Sequence, residues 1–131
     1  MKFHLLYFII FIGLFGCNSP NEVPVFDTIK PADKFARQFI DQVIKGNQDS
    51  ALRFVDPAVL NDESKEFLSN TILQINYAKP QSYKVVESRF NTTISSNSGK
   101  FTIYNLAYDY TFDRGNILFT VTIKEVGKNY L

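Results

Sequence analysis

FTIYNLAYDYTF, residues Phe101–Phe112, decides the fold. Tyr104, Leu106, Tyr108, Tyr110 and Phe112 fall at every second position and form one strongly aromatic face, while Asn105 and Asp109 stand opposite, with Asp113 next in line. Side chains alternate across an extended chain, so this period of two marks a strand with one buried side. The pattern repeats on both flanks. Downstream, Asp113-Arg114-Gly115-Asn116 turns the chain, and Ile117, Phe119, Val121 and Ile123 then share a face against Thr120, Thr122 and Lys124. Upstream, Ser95-Ser96-Asn97-Ser98-Gly99 is a turn, and Tyr83–Ile94 sets Val86, Phe90 and Ile94 against Glu87, Arg89 and Asn91. One-sided strands joined by short turns make an antiparallel meander with a single buried face. Gly127-Lys128 turns once more, and Asn129-Tyr130-Leu131 begins a last strand that is short or truncated. Such a stub leaves its neighbour's edge open to pairing.

The cover for that face lies upstream, where the period changes. Pro31 suits a first helical turn. Phe35, Phe39 and Val43 follow at i, i+4 and i+8, widened by Ala36, Ile40 and Ile44, with Asp33, Lys34, Arg37, Asp41 and Lys45 on the remaining surface. Gly46-Asn47 stops this helix. Asp49 is placed to cap a short second helix through Val55, which Asp56-Pro57 ends. Asn61 is placed to cap a third, in which Phe67, Thr71 or Ile72, and Ile75 keep the period and Leu60 acts as a staple. Lys79-Pro80 closes the helical part. The expected class is α+β, with two or three N-terminal helices packed on a curved antiparallel meander.

The chain opens differently. A short, weakly basic start (Met1 to His4) precedes an apolar run from Leu5 to Phe15, then Gly16 and the only cysteine, Cys17. The run is too short for a bilayer-spanning helix, which needs roughly twenty residues. It reads as an export signal over residues 1–16. Leu14-Phe15-Gly16-Cys17 resembles the lipobox of bacterial lipoproteins, although Phe15 is bulkier than the usual residue there. The resemblance implies cleavage before Cys17, a diacylglyceryl thioether on its sulfur, and acyl chains seated in a lipid bilayer. Two or more chains give stable anchoring. By the same analogy, Asn18 after the cysteine points to the outer membrane of the cell envelope. Residues 17–30, with two prolines and no helical period, then read as a tether, with Val23, Val25 and Phe26 able instead to lie on the domain as an extended segment. Residues 31–131 form one domain.

Charge and composition exclude several classes. The formal net charge is +1, and Lys2 is the leader's only formal charge, so the remainder is neutral. No basic stripe offers itself to nucleic acid. The single histidine, His4, lies in the leader, and the single cysteine is assigned to lipid. The domain therefore has no residues for a Ser-His-Asp triad, a Cys-His pair or the usual zinc site. No phosphate-binding loop or metal-ligand spacing is present, so neither a cofactor nor a metal is expected.

Helices first, a short helix after a Gly-Asn turn, then a curved meander is the order of the cystatin-like α+β cone. FIDQVIKGNQDSALRFVDPAV (Phe39–Val59) resembles the opening of nuclear-transport-factor-like proteins, and FTVTIKEVGKNYL (Phe119–Leu131) their penultimate strand and turn. The resemblance spans Ala32–Leu131 on loose motifs. It implies the fold but no activity, because the histidine such enzymes commonly place in the cone has no counterpart here and fold alone does not give function.

Tyr104, Tyr108 and Tyr110 are the candidate ligand-binding residues, with rings to line a pocket and hydroxyls to orient a ligand; Ser88 and Thr92 on the preceding strand would add polar contacts. Plain core packing competes with that reading. Asp109 and Asp113, roughly 13 Å apart along an extended strand, are too distant to share a proton. The expected function is a non-catalytic, envelope-tethered module that binds a small apolar ligand or an envelope protein. One alternative is an isomerase- or dehydratase-like enzyme using Tyr hydroxyls and a buried carboxylate such as Asp41. Another is an assembly role, through the open edge or through a homodimer on the outer sheet face at Asn105, Thr120 and Thr122.

Overall fold

The computed structural model describes residues 25–97 and 99–131, so the leader, Cys17, Val23 and the proposed lipid anchor lie outside the described residues. Helices come first: α1 (Val25–Ile44), α2 (Gln48–Leu52), a 3-10 turn (Pro57–Val59) and α3 (Asp62–Ile75). Four strands follow: β1 (Ser82–Ser95), β2 (Gly99–Phe112), β3 (Gly115–Val126) and β4 (Asn129–Tyr130). The sheet is open and antiparallel in the order β1-β2-β3-β4. The α+β class and its order of elements are as the periodicities indicate.

β2 is the spine. Its inner-face residues Tyr104, Tyr108 and Tyr110 pair with Ile123, Phe119 and Ile117 of β3 in an unbroken register. Ile29, Ala32, Ala36, Ile40 and Val43 form the buried stripe of α1 and join those strand residues in one core. Small alanines at 32 and 36 leave room on the helix for the strand aromatics, and Phe35 and Phe39 flank the stripe half-buried.

Several local expectations need correction. α1 begins at Val25, not at Pro31, so residues 25–30 are helical rather than tether or extended segment; Pro31 sits inside the helix. α2 ends at Leu52 rather than Val55, and its N-cap is Asn47, not Asp49. Asn61 does cap α3, exchanging hydrogen bonds with Ser64 (Ser64 N to Asn61 Oδ1 2.8 Å, Asn61 N to Ser64 Oγ 2.9 Å). The buried stripe of α3 is Leu68, Ile72 and Ile75; Phe67 is 73% exposed. Apolar residues adjoin at 67 and 68, and the helix turns the second one inward.

The largest difference is in β1. Val85 stands opposite Tyr108 and Glu87 opposite Ala107, so Val86 is an extra residue in a β-bulge. The bulge switches faces: Ser88, Phe90 and Thr92 share the inner side with Tyr83 and Val85, and Val86 drops out of the expected set. β1 is also an edge strand lying largely outside the helical cover, so its apolar side chains stay exposed, Ile94 at 81%.

Candidate functional site

The tyrosine face is built by β2 and closed by α1. Tyr108 is fully buried, and its hydroxyl donates to Asp33 Oδ1 at 2.9 Å. Asp33 Oδ2 accepts from Arg37 Nε at 3.0 Å, one helical turn on. Arg37 in turn lies over the ring of Tyr83 at 5.9 Å, and Tyr83 stacks on Tyr110 at 5.1 Å. Burial raises the Tyr108 pKa well above the ordinary tyrosine value, reinforced by its bond to Asp33 and that carboxylate's charge, while Arg37 opposes the rise. Burial raises Tyr110 as well, with nearby Tyr83 next in weight. Donation to Asp33 raises the Arg37 pKa, while burial acts against the rise. Both phenols are held neutral in the core, and Tyr108 donates from there to Asp33.

Tyr104 is used differently. Its hydroxyl donates to Glu125 Oε2 at 2.6 Å, and its ring meets Tyr130 edge-on at 6.4 Å. Burial and then the Glu125 contact raise its pKa; burial and the Glu125 charge raise Tyr130. Tyr104, Thr92, Thr102, Lys100, Glu125 and Tyr130 line a polar pocket of about 450 Å³, in which the hydroxyls of Thr92 and Thr102 lie 3.0 Å apart.

The expected site residues thus separate. Tyr104 and Thr92 share the polar pocket, Tyr108 and Tyr110 pack in the core, and Ser88 is exposed on β1 opposite Leu106. Glu125 was not singled out in the sequence, although the alternation that puts Ile117, Phe119, Val121 and Ile123 inward carries on to it. Asp41, the carboxylate named as an example for the enzymatic alternative, is exposed and bound to Lys45 at 2.7 Å. Asp109 stands on the outer face 3.5 Å from Lys84, and Asp113 accepts from Gln81 at 2.7 Å.

A second concavity has no tyrosine of the expected set. Phe35 and Phe39 of α1, Phe54, Val55 and Val59 beyond α2, and Val121 and Ile123 of β3 line a groove of about 420 Å³. Phe54 packs edge-on against Phe35 at 5.2 Å and tilted against Phe39 at 6.3 Å, which fixes the floor. Val59 is 56% exposed at the rim. The polar residues here are few: Asp56, whose side chain accepts from Ala58 N at 2.9 Å, Lys124, Thr120, and Thr122, whose hydroxyl is turned to Asn105 Oδ1 on the outer face at 3.1 Å. A largely apolar concavity with a sparse polar rim is what an apolar ligand or side chain needs. No family model matches the sequence, and no curated protein matches it.

Proposed function

We propose that the protein is an envelope-tethered, non-catalytic binding module that takes an apolar group, of a small ligand or a protein partner, into the groove between α1 and β3. The observation that carries this reading is the groove itself: phenylalanine rings from α1 and the segment after α2 stand half-buried around an open volume instead of closing it. The tyrosine hydroxyls support the non-catalytic part, since those of Tyr104 and Tyr108 are already engaged by Glu125 and Asp33. The tether rests on the lipobox-like sequence at Leu14–Cys17.

Titration with the apolar fluorophore anilinonaphthalene sulfonate tests the groove. The protein is expected to bind it, and Val59→Asp, which adds a charge at an exposed rim position without entering the core, is expected to weaken binding about tenfold or more by charging an apolar site. Tyr104→Phe is expected to leave binding unchanged. Equal binding by Val59→Asp, or loss in Tyr104→Phe, overturns the assignment.

A further inference from the structure

We propose that one end of the domain, where α1 begins and the β1–β2 and β3–β4 turns lie, docks on the anionic lipid surface to which the chain is tethered. This rests on the lipid anchor at Cys17 and adds which face of the domain meets the bilayer. Three elements converge at this end. Pro31 of α1 lines the polar pocket together with Lys100 and Phe101 at the start of β2 and Gly127 of the β3–β4 turn. Residues 25–30 continue the helix roughly 9 Å beyond Pro31, so the chain enters the domain here. Eight peptide units separate Cys17 from Val25, and such a link reaches at most about 28 Å. α1 is itself about 30 Å long, so its N-terminal end is the one held near the lipid.

Positive charge is gathered at the same end. Lys30, Lys100, Lys124 and Lys128 are exposed there, and among the described residues Lys100, Lys124 and Lys128 form no ion pair. Lys124 extends over the ring of Phe101, 5.2 Å from its centre. Lys100 stands opposite Ile94, which is 81% exposed and sets an apolar side chain beside the charge. The acids here are fewer: Asp33 is taken by Arg37, and Asp27 and Glu125 remain. The acidic surplus lies elsewhere, with Asp49, Asp56, Asp62, Glu63 and Glu66 against Arg53 and Lys65 between Gln48 and Ile75. A chain that is neutral beyond its leader thus turns its basic end to the lipid.

A layer of anionic headgroups is the partner that this arrangement selects. Residues 18–24, NSPNEVP, adjoin the same end but carry Glu22 as their only charge, and so match one of the four lysines. The tether lowers the cost of encounter, because a partner on a short link acts at an effective concentration in the millimolar range. A weak attraction then suffices. Each lysine near an anionic membrane is worth about fivefold. Four lysines less Asp27 and Glu125 leave two charges, about 25-fold in favour of the docked state.

The test uses the mature protein, purified from membranes and reconstituted into vesicles, with trace reductive methylation of lysines read residue by residue by mass spectrometry. In vesicles of phosphatidylcholine mixed with phosphatidylglycerol, Lys100 and Lys128 should react about tenfold more slowly than in phosphatidylcholine alone. Lys79, exposed at the opposite end of the sheet ahead of the Ser82–Thr111 pair, should not change. Salt at about 1 M, which shortens the Debye length to about 3 Å, should remove the difference. Lys128→Glu cancels the net excess of two charges and should abolish the protection of Lys100. Lys79→Glu makes the same change in net charge at the other end and should leave it intact. Equal reactivity in the two kinds of vesicle overturns the proposal. Protection already present in phosphatidylcholine overturns it too, since the chain's own residues then cover this end. Protection that grows with the ratio of protein to lipid does the same, since a second copy then covers it. The intact mass separates docking from anchoring: acyl groups on Cys17 without protection remove the docking alone, and a mature chain without them removes both.

Discussion

Raising the pH should unfold this protein steeply, and Tyr108 should account for a defined part of the slope. Tyr104 and Tyr108 are buried neutral, with pKa values raised above the ordinary 10.0 by burial and by donation to carboxylates. A raised pKa in the fold means that the protonated form is favoured there. The stabilisation is complete below pH 10 and is lost as the pH climbs from the unfolded value toward the folded one. Each such tyrosine removes about 1.4 kcal/mol per pH unit in that window. Two of them remove about 5 kcal/mol between pH 10 and 12, the lower end of ordinary domain stability. Unfolding near pH 12 is expected. Tyr108→Phe should cost only about 1 kcal/mol at neutral pH, because Asp33 keeps Arg37 and has access to water, against 1.5–3 for a fully lost bond to a charge. Above pH 10 its stability should fall less steeply than wild type by about 1.4 kcal/mol per unit. Urea unfolding followed by circular dichroism at several pH values, with tyrosinate absorbance recorded in parallel, measures both. Identical slopes for wild type and Tyr108→Phe would refute the reasoning. A tyrosinate signal at pH 10 that is present in folded wild type and missing from Tyr108→Phe would refute it equally.

Leu106→Ala, at a fully buried strand position, should destabilise by about 3 kcal/mol through lost burial and a residual cavity, read by urea denaturation. Asn61→Ala breaks the reciprocal cap of α3 and should cost about 1 kcal/mol in the same assay. Phe67→Ser, by contrast, should lie within about 0.5 kcal/mol of wild type, since the ring is exposed. If the leader is processed as its sequence suggests, Cys17→Ala should move the protein from the detergent-extracted membrane fraction to the soluble one, as an immunoblot of fractionated cells would show.

The sheet was the most legible part of the sequence. Alternation in Phe101–Phe112 and Ile117–Ile123 leaves one way to put Tyr104, Tyr108, Phe119 and Ile123 inward together, and a one-residue slip would turn every one of them to water. Val86 was misread because a bulge preserves local alternation on each side of itself, so its signal lies in the pairing with β2 and not in β1. The start of α1 was misplaced because Pro31 is a good first-turn residue, yet a helix extending from Val25 tolerates it. The tyrosines were legible as an inward face, but whether such a face lines space or fills it depends on α1, whose Asp33 and Arg37 close over Tyr108. The groove went unseen for the same reason. Phe35, Phe39 and Phe54 look like core residues in the sequence, and their incomplete burial follows from how far apart α1, the segment after α2 and the β3 edge are held.

The bulge at Val86 separates two properties that strands normally encode together. Removing Val86 would leave Val85 opposite Tyr108 and Glu87 opposite Ala107, now as consecutive rungs of a regular ladder. Every cross-strand neighbour would be kept, and the loss would be the local twist that a bulge adds. Deleting Ser88 instead would flatten the same bulge but bring Val86 opposite Ala107 and turn the charged Glu87 inward opposite Leu106. Codon deletions along β1 should therefore be sharply unequal in effect, with position 86 the point where sequence length can vary while the identity of each contact is inherited and only the curvature of the sheet evolves.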